Sequence, residues 1–279
     1  MMKLSKHKTY AVLSILLASL FVIIAMLVNV SIKSLDKPNV QTNKVHKIKK
    51  VKETKTKYDG KRRLLISKMV MYNGASGFKK QGMVSIPSVN ILLPIYNDAY
   101  SDKGLSYGAA YANRSKIDPK GTSVPMFGHG NYGLAAHNFN DGKTGFSSLQ
   151  EKMNSNMPYL RDNEQLGGSS WLNGQNVYLA NGSSIFVYQI TGQRTVSSKD
   201  TSVLNKSNKT KLTIISCLFP NTNYRIVTSA ELVKTVSWAD ASDTEISLFD
   251  LQHQNTNAHV SWFNPGPEEG ANGVAGGTK

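Results

Sequence analysis

The chain has one cysteine, Cys217, at the end of the apolar run LTIISC, and an arginine, Arg225, follows eight residues later. A lone cysteine cannot form an internal disulfide, so it is an intermolecular crosslinker, a buried apolar filler or a nucleophile. Thiol chemistry needs a base, because an isolated cysteine with a pKa of ~8.5 is only a few per cent thiolate at neutral pH. Of the six histidines, His7 and His46 lie towards the N-terminus and His253 and His259 near or in the C-terminal end. Two remain. His129 sits between glycines in FGHGNY, whereas His137 follows YGLAA and opens an Asn/Asp-rich turn. A histidine at a strand end is held by the scaffold yet can reach solvent, which favours His137. Arg225 is the third candidate: its planar fork of donors can fix a carbonyl and stabilise an oxyanion in acyl transfer.

These residues need rigid elements to bring them together. Short runs of β-branched and aromatic residues, broken by Gly, Asn, Ser and Pro, predict strands at 83–86, 90–95, 132–136, 177–180, 185–195, 212–217 and 225–238. Many short strands with little helix indicate a closed barrel or a sandwich, because both remove exposed edges. One helix is expected in GFSSLQEKM, where Phe146, Leu149 and Met153 share a face as core residues. The stretch 256–279 is rich in Gly and Pro and is expected to be a disordered tail.

The formal charge of +15 is unevenly distributed. Residues 33–63 carry twelve Lys/Arg against three acids, while 64–279 carry 18 against 15. The basic character therefore belongs to a tether and not to the folded part, which speaks against a nucleic-acid-binding domain. Residues 9–32 hold no charge, and as a helix they would span roughly 36 Å, enough to cross the hydrocarbon core. A signal anchor is expected there. The positive-inside count alone would put the following domain in the cytoplasm, but large domains translocate largely regardless of charge.

The order of the three candidates, His137, Cys217, Arg225, differs from that of papain-like enzymes, in which the cysteine comes first. The chain resembles instead the class A sortases of Gram-positive bacteria, in a streptococcal or lactobacillal form. TIISC at 213–217 is similar to that family's TLxTC signature, and the arginine follows in NYRIVTSAELV. GMVSIPSVNILLPIY at 82–96 resembles the family's first strands, and NYGLAAHNFNDGKTGFSSL its histidine segment. Departures are Ile214 and Ser216, which keep volume and hydroxyl respectively, and YGAAY at 107–111 in place of a GAGT-like stretch, where a bulky residue bears on substrate fit.

The resemblance implies an eight-stranded, mainly β barrel with short helices, preceded by one N-terminal transmembrane helix. It divides the chain into a cytoplasmic end (1–8), an anchor (9–32), a tether (33–63), a catalytic barrel (64–255) and a tail (256–279). The implied activity is transpeptidation: cleavage of LPxTG-like signals on surface proteins and transfer to an amine of the peptidoglycan precursor, lipid II, outside the cell. Cys217 would be the nucleophile, His137 the acid and base, and Arg225 the peptide and oxyanion holder. Ala136 and Ser216 would contact substrate by motif position. Val196, Val203 and Leu204 would cover the signal's Leu and Pro, or serve as ordinary core. No cofactor is implied. In ANRSKIDPKGTSV only Asp118 could ligate calcium, which takes about six to eight oxygens, so no metal is expected. A pilin-polymerising sortase and a non-enzymatic membrane-tethered surface-binding module are the alternatives.

Overall fold

In the computed structural model of the chain, residues 57–260, 262 and 269–271 are described. The strands are β1 (Gly82–Ile86), β2 (Ile91–Tyr96), β3 (Ala109–Tyr111), β4 (Asn131–Ala135), β5 (Gly168–Ser169), β6 (Asn176–Ala180), β7 (Ser184–Ser197), β8 (Lys211–Cys217) and β9 (Tyr224–Ser237). Eight of them form a ring in the order β7, β6, β1, β2, β3, β4, β8, β9, and β9 pairs back onto β7 to close it. The expected eight-stranded barrel is thus present. The two-residue β5 lies outside the ring on β7. The pairs β2–β3 and β4–β8 are parallel, which needs crossover connections, and one of these carries the short helical turn Thr201–Leu204 between β7 and β8.

The first two strands are buried along their whole length. Their alternate residues explain it: Val84, Ile86, Leu93 and Ile95 fill the barrel interior, whereas Met83 and Leu92 face outward into a second apolar cluster. That cluster is roofed by helix α1 (Gly60–Val70), which contributes Ile66, Met69 and Val70. Each such side chain contributes roughly 2 kcal/mol by leaving water. Asp59 caps α1 by accepting from Arg62 N at 2.8 Å. Arg62 pairs with Asp250, and Arg63 pairs with Asp243 and donates to the Trp238 and Ala241 carbonyls. The helix therefore runs across the boundary expected at 63/64. The anchor at 9–32 and most of the tether lie outside the described residues, and among the described residues no helix is long and apolar enough to cross a membrane.

Two further expectations are corrected. GFSSLQEKM makes only one 3-10 turn, Ser147–Leu149, and Gln150 is already extended. Phe146 and Leu149 are buried as expected, but Met153, beyond the turn, is 56% exposed. The tail at 256–279 is not slack where it is described. Asn257 donates to the Lys143 and Gly145 carbonyls and accepts from Leu92 N, and Glu269 forms a buried ion pair with Lys80 while accepting from Tyr96 Oη. These contacts are long-range, so local composition does not announce them.

Candidate active site

Strand register brings the cysteine and arginine together. In the β8–β9 pair Cys217 lies directly opposite Arg225, and in the β7–β9 pair Arg225 lies opposite Val196. Directly opposed residues project to the same face, so thiol, guanidinium and valine form a row across three strands. Ile215 and Val227, two residues along, continue that face. Val196, Val203 and Val227 pack as a small apolar cluster with Leu204 and Ile215 against it.

His137 arrives from the other side. β4 runs parallel to β8 with Ala135 opposite Ile215, and Ala136 N still bonds to the Ile215 carbonyl at 3.4 Å. The chain then leaves the strand at His137 and returns at Gly145. Phe146 N donates to His137 O at 2.7 Å, and a Cβ on Gly145, whose φ is +60°, would lie 2.3 Å from that oxygen. Only glycine fits there. The tail's Asn257 O accepts from Gly145 N at 2.7 Å and holds the loop from outside.

Between histidine and cysteine stands a buried amide pair that sequence reading did not single out. Asn138 Nδ2 donates to the Cys217 carbonyl at 2.9 Å and to Gln150 Oε1 at 3.0 Å. Gln150 Oε1 also accepts from Phe219 N at 3.0 Å, and its Nε2 donates to the carbonyls of Lys152, Ser155 and Phe219. The residue after the histidine is thus tied to the backbone on both sides of Leu218. Such satisfied buried polar networks fix one geometry.

His137, Cys217 and Arg225 line one cavity of about 430 Å³, and so do Ala136, Ser216, Val196, Val203 and Leu204. Every catalytic and substrate-contact residue expected from the sequence therefore borders the same space. His129 does not; it lines a neighbouring groove. Cys217 is partly exposed and lines the cavity. Ser216, on the interior-facing alternation, is buried, and its Oγ has no hydrogen-bond partner. Arg225 Nη1 donates to the Thr222 and Tyr224 carbonyls at 2.7 and 3.0 Å, which hold the head near the β8–β9 turn. Burial keeps the His137 imidazole below its usual pKa, with Asp102 on helix α2 (Asp102–Leu105) pulling it upward. Asp102, which also lines the cavity, is a third residue the sequence did not reveal.

No group of three or more His, Cys, Asp or Glu side chains is arranged to hold a metal among the described residues. The Asp118 carboxylate accepts from the backbone N–H of Thr122 and Ser123, closing its own turn.

Residues 84–233, more than half of the chain, match the Sortase family, described as Sortase domain. The chain is 28% identical over 214 residues to Sortase A of Streptococcus agalactiae serotype III, covering 75% of this chain and 77% of that protein. It is 24% identical over 233 residues to Sortase A of Listeria monocytogenes, covering 82% and 92%. Among solved structures, sortase A of Listeria monocytogenes superposes with a TM-score of 0.45 at 23% identity, covering 60% of this chain and 94% of that one.

Proposed function

The chain belongs to the sortase family and is a cysteine transpeptidase that cuts LPxTG-like sorting signals, and we propose that His137, Cys217 and Arg225 carry its reaction in a class A enzyme of the housekeeping kind. The observation that supports this most directly is the shared cavity, with Cys217 and Arg225 opposed in register and His137 entering from the parallel strand.

In this reading the Cys217 thiol passes its proton to His137 as the sulfur attacks the signal's threonine carbonyl, and the oxyanion meets the Arg225 guanidinium, turned from its present carbonyl partners. His137 gives its proton to the departing glycine amine, leaving a thioester on Cys217. An incoming amine then loses its proton to His137 as it attacks the thioester carbonyl, and the thiolate leaves. Val196, Val203 and Leu204 offer the apolar surface for the signal's Leu and Pro, and Ala136 and Ser216 border the peptide nearer the sulfur. The acceptor is the amine of lipid II or nascent wall peptide, which places the barrel outside the cell behind a single-pass anchor at 9–32. A pilin-polymerising sortase, the alternative, would carry a lid before the barrel; no residue of 57–80 lines the cavity, and 33–56 lie outside the described residues. The partial exposure of Cys217 weighs against a surface-binding module with an inert thiol.

The test is mass spectrometry of the full chain in detergent after mixing with an LPxTG peptide and an amine acceptor. An acyl group on Cys217, absent in Cys217→Ala, and a threonine-linked amide product are expected. Cleavage without any adduct on Cys217 would overturn the assignment.

A further inference from the structure

A second groove, of about 350 Å³, adjoins the catalytic cavity, and Ala112 and Leu204 border both. Its walls are set firmly. Asn113 Nδ2 donates to the Gly121 and Ser123 carbonyls, Asn131 Nδ2 donates to the Val203 and Asn205 carbonyls, and Thr213 donates to Asn131 Oδ1. These polar groups are already matched. Left open are the apolar side chains of Val124 and Met126, 68% and 63% exposed, with Lys206 and His129 also lining the groove. Apolar surface of this kind beside a reaction cleft is a place for a ligand to cover.

Strand β8 serves as a ruler between the two sites. Its last residue, Cys217, borders the catalytic cavity, and its first, Lys211, pairs with Asn131 in the wall of the second groove. Six residues of strand separate them, or ~20 Å at about 3.3 Å per residue. The four residues from Leu to Thr of an extended signal cover only ~13 Å. A substrate whose threonine carbonyl is at the sulfur and whose Leu lies near Leu204 ends at a residue that borders both cavities, and the ~7 Å left along the ruler is the span of about two further extended residues.

We propose that this groove is a subsite for the two or three substrate residues immediately before the sorting signal. The segment lies extended, with an apolar side chain against Val124 and Met126 and a carboxylate near Lys206. The proposal rests on the sortase reading above, with the signal running from Cys217 towards Leu204.

The test compares three peptides on the full chain in detergent: a bare signal, the signal preceded by Leu-Glu, and the signal preceded by Gly-Lys. The expected result is a KM for the Leu-Glu peptide roughly five- to tenfold below that of the bare signal, with kcat unchanged. The Gly-Lys peptide shows no gain. In Met126→Ser/Lys206→Glu, two exposed positions where folding is not at stake, the ratio of bare to Leu-Glu KM falls to about one. Equal KM values for all three peptides in the unaltered chain, or a preference that survives the double variant, overturn the subsite while leaving the enzyme reading intact. No turnover of any peptide and no adduct on Cys217 overturn both.

Discussion

Replacing Asn138 by aspartate keeps its shape and exchanges one donor for an acceptor. Asn138 Nδ2 lies 2.9 Å from Cys217 O and 3.0 Å from Gln150 Oε1, so in Asn138→Asp an oxygen would face two oxygens inside the protein. Gln150 cannot turn its amide to help, because its Nε2 already serves three carbonyls. Two lost hydrogen bonds with their acceptors left buried cost about 2–4 kcal/mol at pH 7. The new carboxyl relieves one contact only when protonated, so its folded pKa rises above the unfolded value. Folding stability is then closest to that of the parent below the unfolded pKa and falls as pH rises through the folded one. Thermal melts at pH 5 and pH 7 read this slope. Single-turnover acylation of Cys217, followed by mass spectrometry at a temperature where both proteins are folded, is expected to slow at least about tenfold, as fits a reacting group displaced by a fraction of an ångström. Acylation at the parental rate in a destabilised but folded variant would show that the amide supports the loop without positioning the thiol. No change in either measurement would refute the network itself.

Arg225→Lys keeps the charge but loses the fork, and kcat is expected to fall roughly 10²-fold with a smaller change in KM in steady-state peptide cleavage. His137 is held below its normal pKa by burial, so the folded protein takes up fewer protons than the unfolded chain, and stability is lost as pH falls through ~6.5 towards the folded value. His137→Gln should flatten that acid-side slope in melts from pH 8 to pH 5 without abolishing it, since burial lowers the His259 pKa as well. A chain starting at Leu64 loses the Asp59 cap and the Arg62 and Arg63 ion pairs, and is expected to be about 3 kcal/mol less stable in denaturant melts than one starting at Lys55. Lys80→Met, which strands the buried Glu269 carboxylate, should cost roughly 3–5 kcal/mol, most of it recovered in Lys80→Met/Glu269→Leu.

The long strands were legible because apolar residues, many of them β-branched, occupy both faces, as in β8, where Leu212 and Ile214 face inward and Ile215 and Cys217 outward. Their expected ends fall within two residues of those observed. Ala109–Tyr111 and Gly168–Ser169 were not expected as strands because two or three residues are too few to show a periodicity. Helix α1 was hidden by its lysines and arginines, which read as tether although two of them are bound to the barrel. A capping box at Ser242 and Glu245, opening helix α3 (Asp243–Ser247), could have been read directly from the spacing. The reactive trio carried recognisable residue types and a family-like order. Asn138, Gln150 and Asp102 did not, because nothing in a sequence marks a neutral amide or a surface acid until the chain folds it against its neighbour.

Strand β9 is hydrogen-bonded to β7 from Ser197 to Ser184 and, between Arg225 and Glu231, to β8 as well, so Arg225 is clamped from two directions. The six-residue connection between Cys217 and Tyr224 acts on the side chain instead, since Thr222 O accepts from Arg225 Nη1 and Phe219 is bonded through its backbone to Gln150. Changes confined to this hairpin tip, residues 218–223, should thus leave the arginine's backbone in place while re-aiming its head, so one sheet can carry differently directed guanidinium groups.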